Sequence, residues 1–283
     1  MIVDAHHHLW PDPAEYTWLS DASLAPLRRP FTPADLVAEL DAASVDRTVL
    51  VEGGREDYAE VPQLLALAAA TPRIAGVVAW ADVTDPDLEG TLAGYRTLPG
   101  GELLVGVRSQ VQGFADPDYL DRPEVRRGLA TVAAAGLAFD LVVRADQIAS
   151  AARAARAVPE LRFVLDHVGK PRIAAGGEGL AQWRGPITEL AAAPNVTCKL
   201  SGMVTEADWA RWTVEDLRPF VETAVAAFGP ARVMFGSDWP VALLASTYGG
   251  VLDALRAALP PLSRAELGDV FAGTAIRTYG LRD

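Results

Sequence analysis

Short apolar runs alternate with amphipathic stretches along the whole chain. The runs span 2–5, 48–51, 74–80, 103–107, 137–143, 162–166, 196–200 and 232–236. They are rich in Val, Leu, Ile and Phe without strict alternation, the pattern of strands covered on both faces. Helical sequence follows them. In the stretch that starts at Thr32, that residue suits an N-cap, Pro33 occupies the first turn, and Asp35 stands three residues after the cap. Leu36 and Leu40 share one helical face. Similar segments are 61–70, 123–135, 147–157, 180–193, 217–228 and 251–259. Parallel strands need such crossovers, and an eightfold alternation predicts an α/β fold, a closed (β/α)8 TIM barrel. The competing open, doubly wound sheet lacks its signature, since no glycine-rich phosphate turn follows an early strand. A single domain over 1–283 is the expectation.

Composition narrows the partners. Of the 283 residues half are apolar, and the formal net charge is −12. A chain this apolar folds, and an acidic balance disfavours nucleic acid and anionic membrane surfaces, which need clustered Lys and Arg. The N-terminus has no basic start, long apolar stretch or cleavage site, so it does not read as a signal peptide. The longest uncharged run, 239–252, contains Pro240 and falls short of the ~20 apolar residues of a membrane helix. One cysteine, Cys198, makes no internal disulfide or thiolate cluster, and a cytoplasmic location is the simplest expectation. Cys198 lies inside a predicted strand and reads as a small core residue.

In a (β/α)8 barrel the C-terminal ends of the strands face the active site. Reactive side chains concentrate there. Strand one ends in Asp4-Ala5-His6-His7-His8, where alternation points His6 and His8 one way and His7 the other. Two imidazoles on one face can hold a divalent metal or a water. Strand two ends in Glu52, followed by Gly53 and Gly54. Strand four ends in Arg108, a planar fork of donors for carboxylate, carbonyl or hydroxyl, with Gln110 and Gln112 beyond. Strand six leads into Asp166-His167-Val168-Gly169-Lys170-Pro171, and strand seven into Lys199-Leu200-Ser201-Gly202. Strand eight gives Phe235-Gly236-Ser237-Asp238-Trp239-Pro240, presenting Asp238 at the mouth. With no Gly-x-Ser-x-Gly elbow, the remaining logic is hydrolytic: a carboxylate takes a proton from water while cations and donors hold the electrophile.

This ordered set of motifs resembles the amidohydrolase superfamily, more narrowly its amidohydrolase-related branch of sugar-lactone and pyrone-dicarboxylate lactonases. Tyr16-Thr17-Trp18-Leu19, Gly106-Val107-Arg108 and Phe139-Asp140-Leu141 extend the likeness to nearly the whole chain. The resemblance implies a distorted barrel that hydrolyses a cyclic ester. Carried over, Asp238 is the general base, and His6, His8 and His167 surround a water or metal and polarise the carbonyl. Arg108 binds the substrate's polar groups, Tyr16 reaches them from the loop after strand one, and Glu52, Lys170 and Lys199 complete the substrate-binding set. A metal, zinc or manganese, would take His6, His8 and Asp238, with Glu52 as a further ligand candidate.

Departures from the superfamily pattern matter as much. Strand four carries Arg108 where binuclear members carry a bridging lysine or glutamate, and strand five has no histidine. A binuclear centre is therefore not expected, and the resemblance leaves one divalent ion or none. The leading expectation is a lactonase that opens a sugar-derived lactone. The alternative is a mononuclear metal-dependent amidohydrolase or decarboxylase acting on a small carboxylic acid. Loops 10–30 and 173–184 are expected to set specificity, while the oligomeric state leaves no mark in the sequence. Arg108, Lys170 and Lys199 at strand ends suggest a locally positive pocket in a negative protein.

Overall fold

A computed structural model of the protein describes residues 1–282. The eight predicted runs form eight strands in one parallel sheet, hydrogen-bonded in chain order. They are β1 (Val3–His7), β2 (Arg47–Val51), β3 (Ile74–Trp80), β4 (Leu104–Ser109), β5 (Ala138–Leu141), β6 (Arg162–Leu165), β7 (Val196–Leu200) and β8 (Val233–Phe235). The ring closes through a parallel bridge between His7 and Trp239, with the Asp238 N–H donating to the His6 carbonyl and the His8 N–H to the Trp239 carbonyl. This is the (β/α)8 TIM barrel.

Helices cross between the strands: α1 (Pro33–Ala43), α2 (Glu60–Ala69), α3 (Leu88–Thr97), α4 (Pro123–Ala134), α5 (Ile148–Ala157), α6 (Gly177–Ala191), α7 (Val214–Phe228) and α8 (Tyr248–Ala258). Thr32 caps α1 as predicted, in a reciprocal capping box with Asp35, and Leu36 and Leu40 are its buried face. Helix α3 is absent from the sequence-based pattern. Its Gly90, Gly94 and two threonines are poor helix formers, yet Leu88, Leu92 and Tyr95 bury one face and hold it in place.

The apolar core has two layers. A large one lies between strands and helices and contains Cys198, whose thiol burial pushes to a higher pKa. A smaller one fills the barrel at the strand starts, where Val3, Val49, Val78 and Val164 meet Ala275 and Tyr279 of the last helix (Thr274–Tyr279). That helix plugs one end, which leaves the C-terminal strand ends as the open mouth. Among the described residues no helix is long and apolar enough to cross a membrane.

Candidate functional site

Strand β1 delivers its histidines through an irregularity. The β1–β2 register shifts between Asp4 and His7, so the Asp4-x-His6-x-His8 spacing does not describe a single face. Asp4 points to the outer layer, accepting from Ser237 N–H (2.8 Å), Ser237 Oγ (2.6 Å) and Tyr248 (2.9 Å). It ties β1 to the end of β8 and takes no place in the mouth. His6 and His8 face each other with their Nε2 atoms 3.2 Å apart. His7 turns the other way, as alternation requires, and burial lowers its pKa to about 3.

His167 follows β6 in a left-handed stretch, with φ of 54° at His167, 48° at Val168 and 50° at Lys170. A run of positive φ at non-glycine residues carries strain and marks a conformation held by its surroundings. Gly202 makes room for the ring: a Cβ there would lie 2.5 Å from His167 Nδ1. Asp238 has a φ of 58° and completes the group from the end of β8.

The outcome is one carboxylate oxygen faced by three imidazoles. Asp238 Oδ1 lies 3.6 Å from His8 Nε2, 3.8 Å from His6 Nε2 and 3.8 Å from His167 Nε2. Second contacts aim the rings. His8 Nδ1 donates to the Val51 carbonyl at 3.0 Å, which leaves a lone pair on Nε2, and His167 Nδ1 meets Ser201 Oγ at 2.9 Å. Burial lowers His167 to about 4 and His6 well below the usual histidine range, the latter with help from the Lys199 charge, so both rings are neutral near pH 7. For Asp238, burial pushes its pKa up, but the neighbouring His167, His8 and Lys170 outweigh it and hold the carboxyl below its ordinary value.

These atoms suit a cation. Ligand atoms of His6, His8 and Asp238 all lie within 4.8 Å of one another. Tetrahedral zinc with bonds of 2.0–2.1 Å places its nitrogens roughly 3.3 Å apart, close to the spacing here. The set is rich in lone pairs and poor in protons. On its other side, His6 Nδ1 lies 3.0 Å from the Lys199 ammonium and 3.3 Å from Asp166 Oδ1.

Below this group lies a second one of opposite character. Lys199 Nζ sits 2.5 Å from Asp140, 2.9 Å from Asp166 and 3.0 Å from His6 Nδ1, and Tyr279 donates to Asp140. Arg108 donates to Glu52 Oε1 (2.5 Å), the Glu52 carbonyl (2.7 Å) and Asp166 (3.0 Å). Burial raises Asp140 to about 6 against the pull of Lys199. Asp166 is driven well below the usual range, because Lys199, His6 and Arg108 overcome its burial.

The sequence-predicted site residues therefore divide. His8, His167, Asp238, Arg108 and Lys170 line one cavity of about 330 Å³, and His6 sits behind them. Lys199 does not reach it. Its ammonium is completely buried between two carboxylates, because the lysine enters the barrel interior before the strand ends. Glu52 does not line the cavity, and Arg108, Gln110 and the Gly54 N–H occupy its oxygens. Tyr16 turns away from the mouth, and its hydroxyl donates to Glu60 at 2.9 Å. Nor is the pocket positive, since Arg108 and Lys170 on its wall are matched by Glu56 and Asp238. Sequence reasoning passed over Asp166, the hub of the buried group, although it stands inside a quoted motif. It also passed over Trp18, Gln110 and Gln112 as wall residues; the signal for the two glutamines was position just after the end of β4.

Comparison with known proteins adds to this geometry. The family model described as Amidohydrolase matches residues 3–281. The chain belongs to the amidohydrolase family. A protein named L-fucono-1,5-lactonase from Burkholderia multivorans (strain ATCC 17616 / 249) is 38% identical over 289 residues, covering 99% of this chain and 96% of that one. A crystal structure of an amidohydrolase from Burkholderia multivorans with bound zinc matches with a TM-score of 0.91 and 35% identity across all of both chains. Amidohydrolase 2 from Bifidobacterium longum subsp. infantis matches with a TM-score of 0.75 and 26% identity over 99% of each chain.

Proposed function

We propose that this amidohydrolase is a hydrolase that opens a sugar-derived lactone. The observation that carries the reading is the Asp238 carboxylate oxygen facing three imidazoles at the base of a cavity of about 330 Å³. That volume suits one sugar ring and a water. The likeness to the L-fucono-1,5-lactonase of Burkholderia multivorans supports the substrate class.

Asp238, held ionised, takes a proton from a water resting among His6, His8 and His167. The water oxygen bonds to the lactone carbonyl carbon, and the carbonyl electrons move to its oxygen. Arg108 spends N–H bonds on Glu52 and Asp166, and its remaining ones, with the Lys170 ammonium, supply donors to the substrate's oxygens. Collapse of the tetrahedral intermediate breaks the ring C–O bond, and the departing alkoxide receives the proton from Asp238. A lactone needs less activation than an amide because its alkoxide leaves more readily, so a placed base and donors go far.

His6, His8 and Asp238 would hold one divalent ion, zinc or manganese. Bound there, it would supply Lewis-acid polarisation and a lowered pKa for its water. In this reading the chain acts as one domain in the cytoplasm on a small lactone or sugar acid. The charge of −12 speaks against a nucleic-acid partner.

A panel of sugar lactones assayed with a pH indicator, before and after chelation and alongside metal analysis of the purified protein, tests the reading. Hydrolysis of a sugar lactone is expected. Absence of lactone turnover by the metal-replete protein, with turnover of a small carboxylic acid by decarboxylation or amide cleavage, overturns it.

A further inference from the structure

Gln112 and Lys170 line two cavities at once. Besides the one above Asp238, they border a second of about 710 Å³, roughly twice as large. It is walled by Arg144, Asp146 and Ala149 near the start of α5, Pro186 of α6, and Arg172 and Glu206 from loops. Nothing in the hydrolysis of a single ring uses this space.

Its chemistry is specific. Every cation on the wall is already matched: Arg144 with Asp146 at 3.0 Å, Lys170 with Glu206 at 3.8 Å, Arg172 with Glu178 at 3.9 Å. A phosphate or carboxylate entering here finds each positive charge with a carboxylate already beside it. Ala145, Ala149 and Pro186 add apolar surface between these polar groups. That mixture of hydroxyl-sized polar partners and small apolar faces fits a neutral sugar.

The junction is preset for a hydroxyl. Glu52, paired with Arg108, can only accept, so the Gln110 amide must turn its NH2 toward it. Gln110 Oε1 then faces away and accepts from Gln112 Nε2 at 3.1 Å. The amide of Gln112 is thereby oriented, with its own Oε1 left as an acceptor between the cavities. Lys170 is a donor at the same place. A hydroxyl or glycosidic oxygen crossing the junction meets both kinds of partner. The wall is braced as well: Arg144 donates to the Gln112 and Phe114 carbonyls, and Gln147 to those of Val111 and Phe114.

We infer that the second cavity receives a neutral glycosyl group carried by the lactone, so that the substrate class is a glycosylated aldonolactone with its lactone ring above Asp238. The inference rests on the lactonase reading. Binding a remote sugar raises kcat/KM when that binding is expressed in the transition state.

The test compares glucono- and galactono-1,5-lactone with cellobiono-, maltobiono- and lactobiono-1,5-lactone and a glucuronosyl-substituted lactone. At least one neutral disaccharide lactone is expected to exceed its parent in kcat/KM by about tenfold, while the glucuronosyl compound gains nothing. Ala149→Trp, which fills the second cavity without touching the first, should erase that gain and leave parent turnover unchanged. Gln182→Trp, on the exposed rim of the same cavity, does the same if Ala149→Trp fails to fold. Hydrolysis of the parents with no gain for any glycosylated lactone overturns this inference and leaves the lactonase reading standing. So does a gain larger for the glucuronosyl compound, or equal slowing of all substrates by the cavity-filling variants. No turnover of any lactone overturns both.

Discussion

Two groups of ionisable residues sit one above the other inside the barrel. In the lower one, Lys199 and Arg108 face Asp140, Asp166 and Glu52 in ion pairs of 2.5–3.0 Å. In the upper one, three imidazole nitrogens surround Asp238 at 3.6–3.8 Å, beyond hydrogen-bond distance of it. Both groups are buried and built from the residue types of catalysis. What separates them is saturation: a charge whose partners are complete holds the fold, whereas a converging set with unmet capacity can act on a ligand. The sharpest way to break this comparison is Asp238→Asn. It keeps the shape and removes the base, so kcat/KM for the best lactone should fall about a thousandfold. The urea midpoint should move little. Equal turnover by wild type and variant would remove Asp238 from the reaction.

Lys199→Met strikes the lower group and should show the reverse balance. It strands the carboxylates of Asp140 and Asp166 in the interior, and breaking such a buried pair costs about 3–5 kcal/mol. Urea unfolding is expected to report that loss. A stable variant with turnover reduced through KM alone would instead restore Lys199 to substrate binding.

The same distinction explains what the sequence could reveal. Strand positions were legible because Val, Leu and Ile runs covered on both faces have no other use, and His6, His8, His167 and Asp238 stood at their ends. Partner saturation was not legible. Lys199 ends a strand in sequence much as Arg108 does, but only the fold shows that one ammonium is enclosed and the other cation borders the cavity. Tyr16 and Trp18 are two residues apart in one strap of short turns. Trp18 donates to the Gly53 carbonyl at 2.8 Å and lines the cavity, while Tyr16 turns to Glu60. Helix α3 was hidden by its glycines and is held by tertiary burial instead.

Glu60 offers a third, gentler probe of a carboxylate whose partners are incomplete. It lies under the strap, and burial followed by the nearby Glu52 charge raises its pKa to about 8; the Gly53 N–H and Tyr16 only partly offset this. Its Oε2 is buried without a partner. Between its ordinary value of 4.5 and about 8, the folded protein keeps a proton that the unfolded chain has lost. Stability therefore falls as pH rises through that window, by up to about 1.4 kcal/mol per pH unit. Glu60→Gln stays neutral, so its stability should decline less between those limits. Parallel stability–pH curves for the two proteins would show that Glu60 ionises normally.

Tyr16→Phe carries the smallest expected effect and separates strap from site. Its hydroxyl gives one bond to Glu60 at 2.9 Å, and its ring packs 5.7 Å from that of Trp10. The variant keeps the packing and loses the bond, a loss of about 1 kcal/mol for a buried pair. Thermal or urea unfolding measures it. The cavity above Asp238 is lined by Trp18 from this strap and not by Tyr16, so kcat/KM should stay within about twofold, since only interactions made with the substrate enter it directly. A drop of tenfold or more with stability intact would mean that the strap rearranges around substrate and brings Tyr16 to the mouth.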